Sequence, residues 1–149
     1  GIMTMRVVAI SLKIPDNAAY TALVALRKLG VHVERVERAE IRFFEDDADV
    51  AALTVRIESD ETIFNPNKHQ LAVLDAGAPR SGEVWIESLG PTPPAAPRAI
   101  GWRLIDARGE PVSCRELDAA IDRLLCNPAI ERAVVAVRES DRDISVATE

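Results

Sequence analysis

The chain has 149 residues, 48% of them hydrophobic and 4% aromatic, and carries a formal net charge of −6. That length bounds it to one domain, or one domain with a large insertion, with enough apolar residues for a core and too many for wholesale disorder. The negative balance, without a dense block of Lys or Arg, argues against general nucleic-acid binding and attraction to anionic membranes, and no apolar run reaches the length of a membrane span.

Residues 6–13 read as a first strand, with Val8, Ile10 and Leu12 on one face and Val7, Ala9 and Ser11 on the other. Gly1 and Ile2, ahead of Met3, are set aside from fold reasoning, and the N-terminus lacks the long apolar core of a secretory leader. Pro15-Asp16-Asn17 supplies turn and cap chemistry, and 18–29 is rich in helix formers and stops at Gly30. Tyr20, Leu23, Val24 and Leu26 are expected towards the core, while Arg27 and Lys28 suit the negative end of the helix dipole. The second strand region is 31–44, where the alternation slips between Val33 and Val36 and predicts a bulge or bend near Glu34 and Arg35.

Between 48 and 112 the pattern becomes β-rich. Leu53, Val55 and Ile57 alternate with Thr54, Arg56 and Glu58, predicting a half-buried strand over 52–58. Asn65-Pro66-Asn67 marks a turn, 70–74 a return strand, 77–82 a loop and 83–87 a further strand. The prolines of 91–97 dictate an extended surface linker, and 100–106 reads as a strand before the turn Arg108-Gly109-Glu110-Pro111. Trp85 and Trp102 are expected to be at least partly buried.

The best-marked stretch is 113–137. Ser113 and Glu116 form a capping-box pattern, in which hydroxyl and carboxylate each satisfy a backbone amide at a helix start. Leu117, Ile121, Leu124 and Leu125 make the apolar stripe of a helix over 113–126, and Asn127, in the left-handed conformation, with Pro128 should end it. From Ala133 a strand places Val135 and Val137 on one face and Val134 and Ala136 on the other. The polar tail 139–149 holds too few apolar residues to pack by itself. Cys114 and Cys126 lie on this one helix, about 18 Å apart along its axis, so they cannot pair within a subunit. Free thiols suit a reducing, cytoplasmic setting, with a bond between subunits left open.

Leu124-Leu125-Cys126-Asn127-Pro128-Ala129-Ile130-Glu131 resembles the Leu-Leu-Ala-Asn-Pro-Val-Ile-Glu signature of the PurS family, the small subunit of phosphoribosylformylglycinamidine synthase. Leu12-Lys13, Asp16, Leu29-Gly30 and Val36 fit the same family's N-terminal pattern. The family's Val-Arg-x-Gly-Lys run falls on Val36-Glu37-Arg38-Ala39-Glu40, its Asp-Pro-x-Gly turn on Asp16-Asn17-Ala18-Ala19, and its short connection to the second helix on the whole of 48–112. The resemblance implies a PurS-like, ferredoxin-like α+β domain over 3–138, with a β-α-β-β-α-β framework, helices on one face of an antiparallel sheet, and a β-rich insertion at 48–112. It also implies a non-catalytic assembly subunit that helps to bring a glutaminase and an ATP-dependent synthetase together, so that ammonia reaches formylglycinamide ribonucleotide. The family's small subunits are dimers. Here the sheet face without helices offers Val7, Ala9, Val134 and Ala136 as an oligomer interface, unless 48–112 folds across it.

No set of acid, base and nucleophile is legible, so no catalytic residue, metal or cofactor is assigned. His32 and His69, the only histidines, have no ligand-spaced partners. Glu45-Asp46-Asp47 with Asp49 reads as a solvated turn, because a calcium loop needs a spacing and a glycine that it lacks. Cys126 reads as a small buried residue more readily than as a nucleophile. The most site-like loop is Asn65, Asn67, Lys68 and His69, expected to be exposed, whose donors suit a phosphate or carboxylate, against the simpler reading of a bare turn. Two further classes therefore stand beside the assembly subunit: a stand-alone regulatory or small-ligand-binding protein, and an unrecognised enzyme. The segment 48–112 is expected to alter partner choice rather than to create a catalytic centre.

Overall fold

Strands form in this chain where apolar residues alternate, and helices where a side-chain cap opens a run of alanine and leucine. The computed structural model describes residues 4–46 and 49–137. Its elements in chain order are β1 (Thr4–Leu12), α1 (Asn17–Lys28), β2 (Arg35–Asp46), α2 (Val50–Glu58), β3 (His69–Leu74), β4 (Glu83–Ser88), β5 (Ala99–Ile105), α3 (Cys114–Ala120) and β6 (Glu131–Val135). A π-helical turn, Ile121–Leu125, continues α3. The strands make one antiparallel sheet of order β3-β1-β2-β5-β4-β6, so the chain is α+β. Among the described residues no helix is long and apolar enough to cross a membrane.

The register separates two faces. Val8, Ile10, Val36, Leu104, Val84 and Ile86 share the first, and all three helices cover it. Beneath α1 and α3 lie Val36, Val84, Ile86 and Leu104, packed with Leu26, Leu117, Ala120 and Leu125. Beneath α2, Val8 and Ile10 meet Leu53, Ile57 and Phe64. Asp16 caps α1 by accepting from the Ala19 amide at 3.1 Å. The helix faces the sheet through Ala19, Ala22 and Leu26, whereas Tyr20, expected inside, is 68% exposed. The buried stripe is thus rotated onto the alanines, whose small side chains let the backbone approach the sheet closely.

Three further expectations change and one narrows. Residues 52–58 are helical: Asp49 accepts from the Ala52 amide at 2.8 Å, and Leu53 and Ile57, one turn apart, are buried while Val55 is 64% exposed. The slip at Glu34 and Arg35 is a bend and not a bulge: the chain bends at Glu34, whose amide donates to the Ile105 carbonyl at 2.8 Å, and β2 begins at Arg35. The capping box is half made, because the Ser113 hydroxyl accepts from the Glu116 amide at 3.2 Å but the Glu116 carboxylate accepts from the His32 amide, at 2.9 Å. Asn127 does not take a left-handed conformation. Its side chain accepts from the Ala129 amide at 3.1 Å, its carbonyl accepts from Ile130 and Glu131, and the Glu131 carboxylate accepts from its own amide at 2.8 Å.

The second face carries Val7, Ala9, Ile41, Ala99 and Trp85, all buried, with Phe43 edge-on to Trp85 at 6.0 Å between ring centroids. The β3–β4 connection, 75–82, must pass β1, β2 and β5, and it runs over this face: a Cβ added to Gly77 would lie 3.8 Å from Val7. Pro79 within it is buried. The crossing ends at Gly82, where φ is +71° and an added Cβ would fall 2.7 Å from Pro111, so glycine is required twice over. The segment 48–112 thus supplies α2, three strands and the cover of the second face. Because β6 pairs with β4 alone among the described residues, it is attached to the sheet through that segment.

The helical reading of 50–58 separates two neighbouring apolar residues. Leu53→Ala should cost about 2–5 kcal/mol in urea denaturation, and Val55→Ser less than about 0.5 kcal/mol. Equal costs would restore the strand.

Candidate functional site

The Asn65–His69 loop is held by its own polar groups. Asn65 Oδ1 accepts from the Asn67 amide at 2.9 Å, and the Asn65 carbonyl accepts from the amides of Lys68 and His69. The His69 ring turns inward: Nδ1 accepts from the Asn65 amide at 2.8 Å, and the ring packs on Phe64 at 5.8 Å between centroids. Asn67 and Lys68 are exposed, whereas Asn65 and His69, expected outside, are half-buried. The polar side chains at the two ends of the turn are committed to closing it, and only Lys68 and Asn67 face solvent fully.

The interface residues proposed from sequence divide. Val7 and Ala9 are buried within the single chain, at 3% and 7% exposure, with Gly77 of the crossing segment against Val7. Val134 and Ala136 are half-buried at the margin of the sheet, where β6 has no strand beyond it among the described residues. Trp85 is 2% exposed and Trp102 half-buried, with the Arg38 guanidinium 5.6 Å above the Trp102 ring.

A charged cluster that sequence reasoning missed sits where the crossing segment meets β4. Glu83 is buried, and its carboxylate accepts from Arg80 Nη2 and from the Arg80 amide, both at 2.9 Å. The hydrogen bonds to Glu83 push the Arg80 guanidinium pKa up, against the desolvation that lowers it. On the same face Glu37 contacts Arg35 at 3.3 Å and Arg103 at 3.4 Å. These groups wall a groove of about 770 Å³ whose floor includes Ala9, Ala39, Ala72 and Gly101. The available sequence signal was Glu83 itself, a charge directly ahead of the apolar run Val84-Trp85-Ile86 in a strand that has neighbours on both sides.

Elsewhere, the thiols are free. Burial raises the pKa of the half-buried Cys126, and the negative charge of Glu131 raises it further, opposite to what a nucleophile needs. Asp47 lies outside the described residues, and Asp49 of the same acidic run is the cap of α2. His32 sits 3.3 Å from Glu116, at the surface. Under the proline linker a second cleft, of about 660 Å³, holds Glu87 between Arg98 and Arg132, with Arg98 4.9 Å above the Phe43 ring. Among the described residues no group of three or more His, Cys, Asp or Glu is placed to hold a metal ion.

Two substitutions test these assignments by thermal or urea denaturation. His69→Leu leaves the Asn65 amide without its acceptor and should cost about 1–3 kcal/mol, whereas Lys68→Ala should fall within about 0.5 kcal/mol of zero. Arg80→Met strands the Glu83 carboxylate and should cost about 1–3 kcal/mol; the Arg80 side chain is 49% exposed, so the pair is worth less than an enclosed one. Compared with known proteins, the chain matches no family model and no curated protein.

Proposed function

We propose that this chain is a non-catalytic assembly subunit that acts as a homodimer in the cytoplasm. The observation that carries the reading is the open margin at β6. From Ala133 to Val137 the chain has neither charge nor proline, Val134 and Ala136 are partly exposed, and Val137 is 70% exposed. An unguarded apolar edge strand is a template for pairing with another strand. The partners suggested by the PurS resemblance are a glutaminase and an ATP-dependent synthetase of purine synthesis. In that reading β1-α1-β2 and β5-α3-β6 follow the element order of a β-α-β-β-α-β framework; β5 and β6 flank β4 as a ferredoxin-like half requires, while β1 and β2 pair directly and antiparallel. The helix-to-strand corner at Asn127 and Glu131 is the counterpart of the family's signature.

Sedimentation velocity at micromolar concentration tests the dimer. The expected result is a dimer that Val134→Lys converts to a folded monomer, while Ala9→Asp, at a position buried within the chain, unfolds it. A wild-type monomer would overturn the homodimer. Retention of the glutaminase and synthetase on the immobilised wild-type chain, with both purified from the same source, tests the partner assignment; failure of both to bind would overturn it.

A further inference from the structure

The hydrogen bonds of the sheet decide which backbone groups β6 turns outward. The Leu89 amide donates to the Ile130 carbonyl at 2.9 Å, and that pair continues the β4–β6 register, in which Ser88 faces Glu131 and Glu87 faces Arg132. Hydrogen-bonded pairs alternate along an antiparallel ladder, so Arg132 and Val134 turn their amides and carbonyls to β4. Those of Ala133 and Val135 point the other way, where no strand lies among the described residues. The two charges of β6 do not guard this edge. The Glu131 carboxylate accepts from the Asn127 amide at 2.8 Å and Arg132 is paired with Glu87, so both are engaged within the chain. Large apolar side chains are exposed at the same margin: Leu89 and Ile130 at one end of β6 and Val137 at the other, whereas none lies on β3, the opposite edge of the sheet. A patch confined to one edge meets its like by a two-fold rotation, which closes a dimer; pairing β6 with β3 would not close.

Resting on the homodimer reading, we propose that β6 pairs antiparallel with β6 of a second copy about a two-fold axis at Val134. Only outward-facing residues can bond across the edge, so Ala133 and Val135 must meet outward-facing residues of the second copy, and the axis passes through a residue and not between two. Of such axes, the one at Val134 alone sets every residue from Glu131 to Val137 opposite another of the same segment. Ala133 then exchanges both its backbone hydrogen bonds with Val135 of the second copy, and Val135 with its Ala133. Val134 faces Val134 as a non-hydrogen-bonded pair, Arg132 faces Ala136, and Glu131 faces Val137. No charge meets a like charge, and the small Ala136 leaves the ion pair of Arg132 with Glu87 in place. Val134 packs with the Trp85 cluster of the second sheet face, and Ala133 and Val135 with the cluster under α3. An axis perpendicular to the sheet keeps those faces aligned, so both apolar layers run on from one copy into the next.

Cysteine pairing reads the register directly. In the full chain carrying Cys114→Ser and Cys126→Ala, Val134→Cys should join to itself on treatment with oxidised glutathione, because the Cβ atoms of a non-hydrogen-bonded pair lie about 4.5 Å apart, within reach of a disulfide. Ala136→Cys should stay unjoined by itself and should join when mixed with Arg132→Cys. Hydrogen exchange of the wild-type chain needs no cysteine variant: the Ala133 and Val135 amides should exchange about tenfold more slowly, or slower still, than in Val134→Lys. Sedimentation separates the register from the dimer. A wild-type dimer in which Val134→Cys does not join, or in which Ala133 and Val135 exchange as fast as in Val134→Lys, overturns the pairing at Val134 and leaves the homodimer standing; a wild-type monomer overturns both. Ala136→Cys joining to itself would overturn the placement of the axis, and a ladder of ever larger species would overturn the two-fold in favour of β6 bonding to β3.

Discussion

An antiparallel sheet with apolar side chains on both faces has to be covered twice, and this chain places all three helices of its described residues on one side. That leaves the second face to be sealed without helices. The chain does so with what the sheet itself offers: Trp85 and Phe43 lie edge to face over the smaller Ala9, Ile41 and Ala99, and the 75–82 crossing covers Val7. The end of that crossing is fixed by Arg80 clasping Glu83, a carboxylate placed at the first position of a central strand. The helix side, the crossing and the charged groove are therefore one arrangement, set by the need to keep water from Val7 and Ala9.

Much of the layout was legible because the local signals were strong. Asp16 and Gly30 bracket α1, Ser113 opens α3, and the strands at 69–74, 83–88 and 99–105 follow from apolar runs bounded by turns. The misreading of 52–58 has a definite origin. Leu53 and Ile57 are two turns of a strand apart but also one turn of a helix apart, and Asp49 was counted with the acidic run and not as a cap. Burial decides between the periods, and burial depends on β1, which lies far away in sequence, as well as on the neighbouring β3.

The candidate site was less legible for a related reason. Asn65 to His69 looked like a ligand loop because its donors and acceptors are adjacent in sequence, yet Asn65 and His69 satisfy each other. The Arg and Glu side chains that do share a groove come from β2, the crossing segment, β4 and β5, and register alone brings them together. Likewise Glu116 was read as a local cap partner, but its carboxylate reaches His32 across 84 residues of sequence and ties α3 to the connection ahead of β2. Side chains near one another in sequence were overread, and those joined by the fold were invisible.

The attachment of β6 through β4 alone bears on the order of folding. β1, β2 and β3 can pair from residues in the first half of the chain, whereas Val84 meets Val135 and Val36 meets Leu104 only after long loops have closed. Loop-closure entropy is spent before such pairings return any free energy, so sheets built this way form slowly. The last strand has no docking edge until β4 is seated beside β5. Until then its run of alanine and valine, Ala133 to Val137, is uncovered, and the folding chain carries a sticky end that the finished sheet half hides.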